Sequence, residues 1–153
     1  MTYIIVKWIH ILSATILFGT GIGSAFTLFV ANRGNNVANI YFATRYVVIA
    51  DFLFTTPAVV VQLVTGLWLV QLAGFSLWDR WVFWGLLLYL FAGVCWLPVV
   101  WMQISMRDMA KTALQKSAPL PPLYWQMDRW WIFAGSLAFP ALVVVFYLMV
   151  AKP

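Results

Sequence analysis

The chain holds a single histidine, His10, and it lies inside an apolar run, Tyr3–Ala31. An ionisable group within a membrane span is a functional suspect by default, and a neutral imidazole is a common ligand to metals, including haem iron. The alternative is a neutral histidine that only hydrogen-bonds a neighbouring helix. One histidine supplies one axial ligand, so a haem here would be five-coordinate or would take a second ligand such as Met149. Asp51 is the second candidate. It is an acid within an apolar stretch and is costly there unless paired or protonated. Arg45 and Arg107 are the bases within reach of it. The expected arrangement is an Asp51–Arg107 contact that pins two helices, and a proton-transfer role is the alternative. Gln62, Thr55, Thr65, Ser13 and Thr20 could bond a polar ligand or act as interhelical glue.

These side chains fall into two stripes. At helical spacing, His10 is followed by Ser13, Leu17, Thr20, Ser24 and Thr27 on one face. Hydroxyls facing lipid would have to bond back to their own helix, so this face is expected to meet other helices or a bound group. The run Gly19-Thr20-Gly21-Ile22-Gly23 strips side chains from the same helix, which predicts a close approach there by a backbone or by a flat ring. The second stripe is Asp51, Thr55, Ala58, Gln62 and Thr65, and it is expected to meet the first. Ser13, Gly21 and Gly66 join His10 as residues that would surround a bound group. Asp51, Arg107 and Gln62 are the structural polar set.

The elements that position these residues are membrane spans. The chain has 153 residues, of which 65% are hydrophobic and 8% charged, against roughly 25% charged in soluble domains. Mean hydropathy is +0.94. Four apolar runs, about 3–31, 40–73, 81–106 and 126–150, are each long enough to cross a bilayer and form one domain. The first reads as a retained span and not a cleaved signal, because it has no basic cluster before it and its apolar run continues to Val30. Pro57 and Pro98 predict helix kinks. Gln103, Arg107, Asp108 and Lys111 are expected to carry the third helix out into water. The short link Gly74–Arg80 makes spans two and three antiparallel neighbours, and the tryptophan excess reads mainly as interfacial belts.

Net charge is +5, but nucleic-acid binding is a poor reading of nine bases scattered over short loops. Arg33, Arg45, Arg107, Lys111, Lys116 and Arg129 fall on one side, and Lys7, Arg80 and Lys152 on the other. That bias predicts a bacterial inner membrane protein with both interior loops in the cytoplasm and both termini outside. Cys95 is alone, which excludes an internal disulfide. Glutamate is absent, and no nucleotide loop, catalytic triad or dinuclear carboxylate pattern occurs. Any redox or group-transfer chemistry would therefore need a cofactor.

Several stretches resemble an uncharacterised family of small bacterial integral membrane proteins across nearly the whole chain. They are Lys7–Ala14 with Phe18–Gly21, Ala50–Val59, Cys95–Trp101 and Val150–Pro153. More distantly, the layout is similar to the HemJ-type protoporphyrinogen IX oxidases. Lys7 and His10 match that family's Lys-x-x-His opening. Pro57-Ala58 with Gly66-Leu67-Trp68-Leu69 matches its Pro-Ala step, and Lys152-Pro153 matches its ending. This likeness implies haem b held by His10 and a membrane oxidoreductase. The chain departs from it at Trp78-Asp79-Arg80-Trp81-Val82, where that family has a histidine and a lysine, and at the arginine before Pro-Ala, where the nearby charge is Asp51.

The expected fold is thus an all-α, polytopic transmembrane four-helix bundle embedded in the lipid bilayer. The expected function is a haem-b-binding redox protein. The alternatives are a non-enzymatic accessory or assembly subunit that packs against a membrane partner or a second copy, and a small-molecule or proton carrier with Asp51 and Gln62 lining its path.

Overall fold

A computed structural model describes all residues, Met1–Pro153, as four long helices with no strand. We number them α1 (Thr2–Arg33), α2 (Val37–Leu72), α3 (Arg80–Gln115) and α4 (Pro122–Ala151); each is long and apolar enough to span a membrane. The four expected spans are therefore present, and every helix extends beyond its apolar run. The largest extension is in α3, which continues past Met106 to Gln115 with Ala110 and Ala113 buried.

The connections have local causes. The Asn36 side chain accepts from the backbone N–H groups of Ala38 and Asn39 and so caps α2. Gly74 adopts a left-handed backbone, with φ of 73°, where α2 turns toward α3. Pro122 opens α4 in the first helical turn, where a missing N–H costs nothing.

Within α2, residues Asp51–Thr55 form one wide π-helical turn, with the N–H of Thr56 bonding to the carbonyl of Asp51. The Thr56 hydroxyl donates to the same carbonyl at 2.8 Å. Pro57 follows directly and contributes no N–H, so the disturbance expected at this proline takes the form of an inserted residue in the turn before it. The first half of α2 packs against α1 and α3, and its second half, Thr56–Leu72, lies against α1. The antiparallel contact of α2 with α3 is therefore close at the Asn35 end. Toward Gly74 the visible tie is the Tyr89 hydroxyl, which donates to the Val59 carbonyl at 2.8 Å.

Only 30 of the 153 residues are buried. This suits a bundle whose outer face meets lipid, where helices associate through packing and interhelical hydrogen bonds and gain little from burying apolar area. The well-packed core sits at the Asn35 end and includes Leu28, Ile40, Val47, Met102, Met106 and Tyr124. There Asn32 donates to Asp128 at 2.8 Å and accepts from the Tyr124 hydroxyl at 2.7 Å, tying α1 to α4. Nearer the other end, Phe18 stacks on Phe139 and meets Phe146 edge-on. Between these two ties α1 and α4 stand apart.

Candidate functional site

Two polar clusters occupy the interior. The first joins the two stripes. His10 Nδ1 lies 2.8 Å from the Thr65 hydroxyl, and its Nε2 lies 3.0 Å from the Gln62 amide nitrogen. Ser13 donates a short hydrogen bond to Gln62 Oε1. The Thr65 hydroxyl donates onward to the Val61 carbonyl at 2.6 Å. A consistent donor order follows from these partners. Ser13 donates to Gln62, the Gln62 amide donates to Nε2, Nδ1–H donates to Thr65, and Thr65 donates to Val61. The neutral tautomer protonated at Nδ1 fits that order. All four side chains are buried, and every buried polar atom among them has a partner.

Gly66 explains how the ring fits. A Cβ at that position would lie 3.1 Å from His10 Cε1, so the missing side chain makes room for the imidazole. The close approach expected at Gly19–Gly23 occurs at Gly66 instead. Added Cβ atoms at Gly19, Gly21 and Gly23 would meet nothing within 4 Å, and all three glycines are exposed.

Haem would need a ring nitrogen with a free lone pair. In this arrangement both nitrogens of His10 are engaged by protein groups, and the imidazole does not line the large cavity described below. Met149 borders only a small gap beside Ala14 and Gln62. As arranged, these residues do not fit an axial haem ligand pair.

The second cluster surrounds a cavity of about 720 Å³ between α1, the π turn of α2, α3 and α4. Its walls are mainly apolar, and Gly21, Ser24 and Ala25 of α1 face Gly135, Ser136 and Ala138 of α4 across it. Small residues at such spacing usually let helices touch; here they widen the space instead. Phe26 and Ile132 also line it and are 68% and 42% exposed, so the cavity opens toward the surrounding lipid between α1 and α4.

Four buried polar atoms in the molecule have no hydrogen-bond partner: Asp51 Oδ2, Trp96 Nε1, Gln103 Oε1 and Trp131 Nε1. All four belong to residues that line this cavity. Asp51 and Gln103 are each 4% exposed and Trp131 is 8% exposed. An unpaired polar group in an apolar interior is costly, and the four side chains that carry one all belong to the wall of this single space. Asp51 Oδ1 is held by the Thr55 hydroxyl at 2.8 Å, and the Gln103 side chain approaches the same carboxyl from α3.

Three expectations change here. The Asp51–Arg107 contact does not form. Arg107 pairs with its neighbour Asp108 at 2.8 Å, one helical turn closer to water than Gln103 and partly exposed, where its charge stays hydrated. Arg45 is also exposed and makes no ion pair. Gln103, expected at the water boundary, is buried, because α3 continues and packs well past it. Trp131, read as part of an aromatic belt at the start of the fourth span, turns inward. A signal for Gln103 did exist: Trp96, Val99 and Gln103 share one face of α3 at helical spacing.

Of the residues proposed to surround a bound group, His10, Ser13 and Gly66 come together with Gln62, whereas Gly21 lines the cavity with Asp51. The architecture is that of a multi-pass α-helical membrane protein. Residues 4–153 match the family described as a predicted integral membrane protein (DUF2269), and the chain belongs to that family. No curated protein and no solved structure matches it.

Proposed function

We propose that this protein is a membrane-embedded binding protein for a lipid-soluble small molecule, which reaches the cavity sideways from the bilayer between α1 and α4. The observation that carries this reading is an apolar cavity of about 720 Å³ open between α1 and α4, whose wall contains every side chain with an unpartnered buried polar atom. Its size falls within the roughly 300–1,000 Å³ usual for small-molecule sites, and an apolar wall with a few convergent polar groups is their usual chemistry. Asp51 and Gln103 orient the polar end, and the small residues of α1 and α4 accommodate the apolar part. This is a carrier-type role, with Asp51 in it as expected and Gln62 serving the His10 cluster instead. The haem reading rests on the family likeness and on His10, and would require Gln62 or Thr65 to release the ring.

Extraction of the protein with its native lipid into polymer nanodiscs tests both readings. The expected result is one small molecule retained at about one per chain, found by mass spectrometry and lost from Gly21→Leu and Gly135→Leu. Both glycines line the cavity and neither has an atom within 4 Å of an added Cβ, so the larger side chains start in open space and reduce the cavity. Equal small-molecule content in wild type and both variants would sink the proposal. A Soret band that disappears in His10→Ala would establish haem instead.

A further inference from the structure

We infer that Asp51 and Gln103 form a proton-binding site within the wall of the cavity, in which Asp51 holds a proton on Oδ2 and donates it to Gln103 Oε1. The Thr55 hydroxyl already donates to Asp51 Oδ1 at 2.8 Å, and the Gln103 side chain comes against the same carboxyl from α3. What is left over there is Asp51 Oδ2 and Gln103 Oε1, both buried and both without a donor. Two neighbouring acceptors cannot bond each other, and one proton between them gives each a partner. A carboxylic acid and a primary amide are complementary in this way, each offering a donor beside an acceptor.

Charge decides against the ionised form. An anion in an apolar span needs a cation, and none faces this carboxyl. On its own helix, Arg45 is exposed and makes no ion pair. On α3, Arg107 is paired with Asp108 at 2.8 Å. On α1, no charged residue lies between Lys7 and Arg33; Arg33 lies over the Phe29 ring, and His10 is bonded to Thr65 and Gln62. On α4, Asp128 accepts from Asn32 and Arg129 is exposed. The other titratable side chain on the wall is Tyr89, whose hydroxyl donates to the Val59 carbonyl. Turning the Gln103 amide over would give Oδ2 an N–H donor but would leave the negative charge in place. A hard metal cation gathers about six oxygen ligands, and the wall here is mainly apolar.

The proton joins two helices as well as neutralising a charge. Asp51 stands on the π turn of α2, and wide turns of this kind are frequent at functional sites. With the proton in place, the acid–amide pair ties that turn to α3. When the proton leaves, a lone charge and an amide oxygen face each other across the joint, and the wall must open to water. For the binding reading, on which this consequence rests, the cavity presents an uncharged polar end to its molecule. The pair itself is internal to the wall and does not depend on what the cavity holds.

The test is carboxyl-carbon NMR of protein isotopically labelled at aspartate Cγ, in phosphatidylcholine nanodiscs. The chain has four acids, so Asp51→Asn identifies the Asp51 signal by its loss. That signal should lie at the protonated-acid position at neutral pH, with or without sodium in the buffer. In the infrared, the acid C=O stretch that is missing from Asp51→Asn should move to higher frequency in Gln103→Leu, because its hydrogen bond is lost. Thermal midpoints give an independent readout. Asn places an N–H where the Oδ2 proton stood, so Asp51→Asn should melt within about 1 °C of wild type, whereas Asp51→Leu strands the amide and should lower the midpoint by about 3 °C or more. A carboxylate signal at neutral pH, in either buffer, would overturn the inference. An acid stretch unmoved by Gln103→Leu would reject Gln103 as the acceptor and the pair with it. Equal midpoints for Asp51→Asn and Asp51→Leu would do the same. None of these readouts requires a bound molecule, so an empty cavity beside a protonated Asp51 would sink the binding reading and keep the proton site.

Discussion

The two polar clusters of this bundle have similar ingredients and opposite bookkeeping. Around His10, a ring, an amide and two hydroxyls close on one another until every buried polar atom has a partner. Around Asp51, a carboxyl, an amide and two indoles each leave one buried atom unpaired, on residues that wall an open space. The chemically conspicuous residue, the lone histidine, sits in the closed cluster. A closed intramembrane network is structural glue, since its groups have nothing left to offer a ligand. An open one either is filled by a ligand or carries a standing penalty. In this fold unmet hydrogen-bonding capacity locates the site better than residue type does.

The comparison is broken most directly by removing the hub of the closed cluster. Gln62→Leu strands His10 Nε2 and takes away an acceptor of Ser13. Leaving a buried polar atom unsatisfied costs about 1–3 kcal/mol, although single interhelical bonds in membranes average nearer 0.6 kcal/mol. A loss of about 1–2 kcal/mol is expected, read as a lower thermal midpoint in detergent, with small-molecule content unchanged. A stability equal to wild type would mean that the cluster does not hold α1 to α2.

The open cluster should respond in the opposite sense. Asp51→Leu with Gln103→Leu removes two unmet polar groups from a space with no protein partner for Oδ2 or Oε1. Replacing buried polar groups by apolar ones of similar volume is often neutral or stabilising. Ligand-free protein carrying both changes is expected to melt within about 1 kcal/mol of wild type, or higher, while losing its bound molecule. The Thr55 hydroxyl loses its Asp51 acceptor and would turn to a backbone carbonyl of its own helix, as helical threonines commonly do. A marked destabilisation would show that Asp51 and Gln103 serve the fold, and the contrast between the clusters would disappear.

Much of this architecture was legible in the sequence, and the reason is periodicity. The four apolar runs gave the four helices, and helical spacing put His10 and Ser13 on one stripe and Gln62 and Thr65 on another. Those stripes meet. All five residues of the second stripe are buried, but the π turn at Asp51–Thr55 separates its upper pair, which faces the cavity, from Gln62 and Thr65, which face α1. The cavity itself was not legible. It arises because α1 and α4 are held at the Asn32–Asp128 and Phe18–Phe139 contacts and stand apart between them. A separation between helices distant in sequence has no local residue pattern. For the same reason Trp131 read as a belt residue, and Gln103 read as leaving the membrane because Arg107 follows one turn later.

The smallest expected effect concerns that arginine, and it is the sharpest check on which groups face Asp51. A single acid in an apolar span invites a basic partner, and Arg107 is on the adjoining helix. In the structure its guanidinium is committed to Asp108 through both Nε and Nη2, at 2.9 and 2.8 Å. An exposed pair of this kind contributes about 0–1 kcal/mol, so Arg107→Gln should barely change the thermal midpoint. The coupling to Asp51 matters more than the size of that change. If Asp51 faces the cavity and Gln103, the effects of Asp51→Asn and Arg107→Gln should add within about 0.5 kcal/mol, as they do for sites that share no partner. If the two residues formed a buried ion pair, either change alone would leave an uncompensated charge, and the double variant would recover part of the loss. Recovery of more than about 1 kcal/mol in that cycle would restore the ion pair and supply Asp51 Oδ2 with a protein partner. The carboxyl would then no longer count among the groups waiting for a ligand.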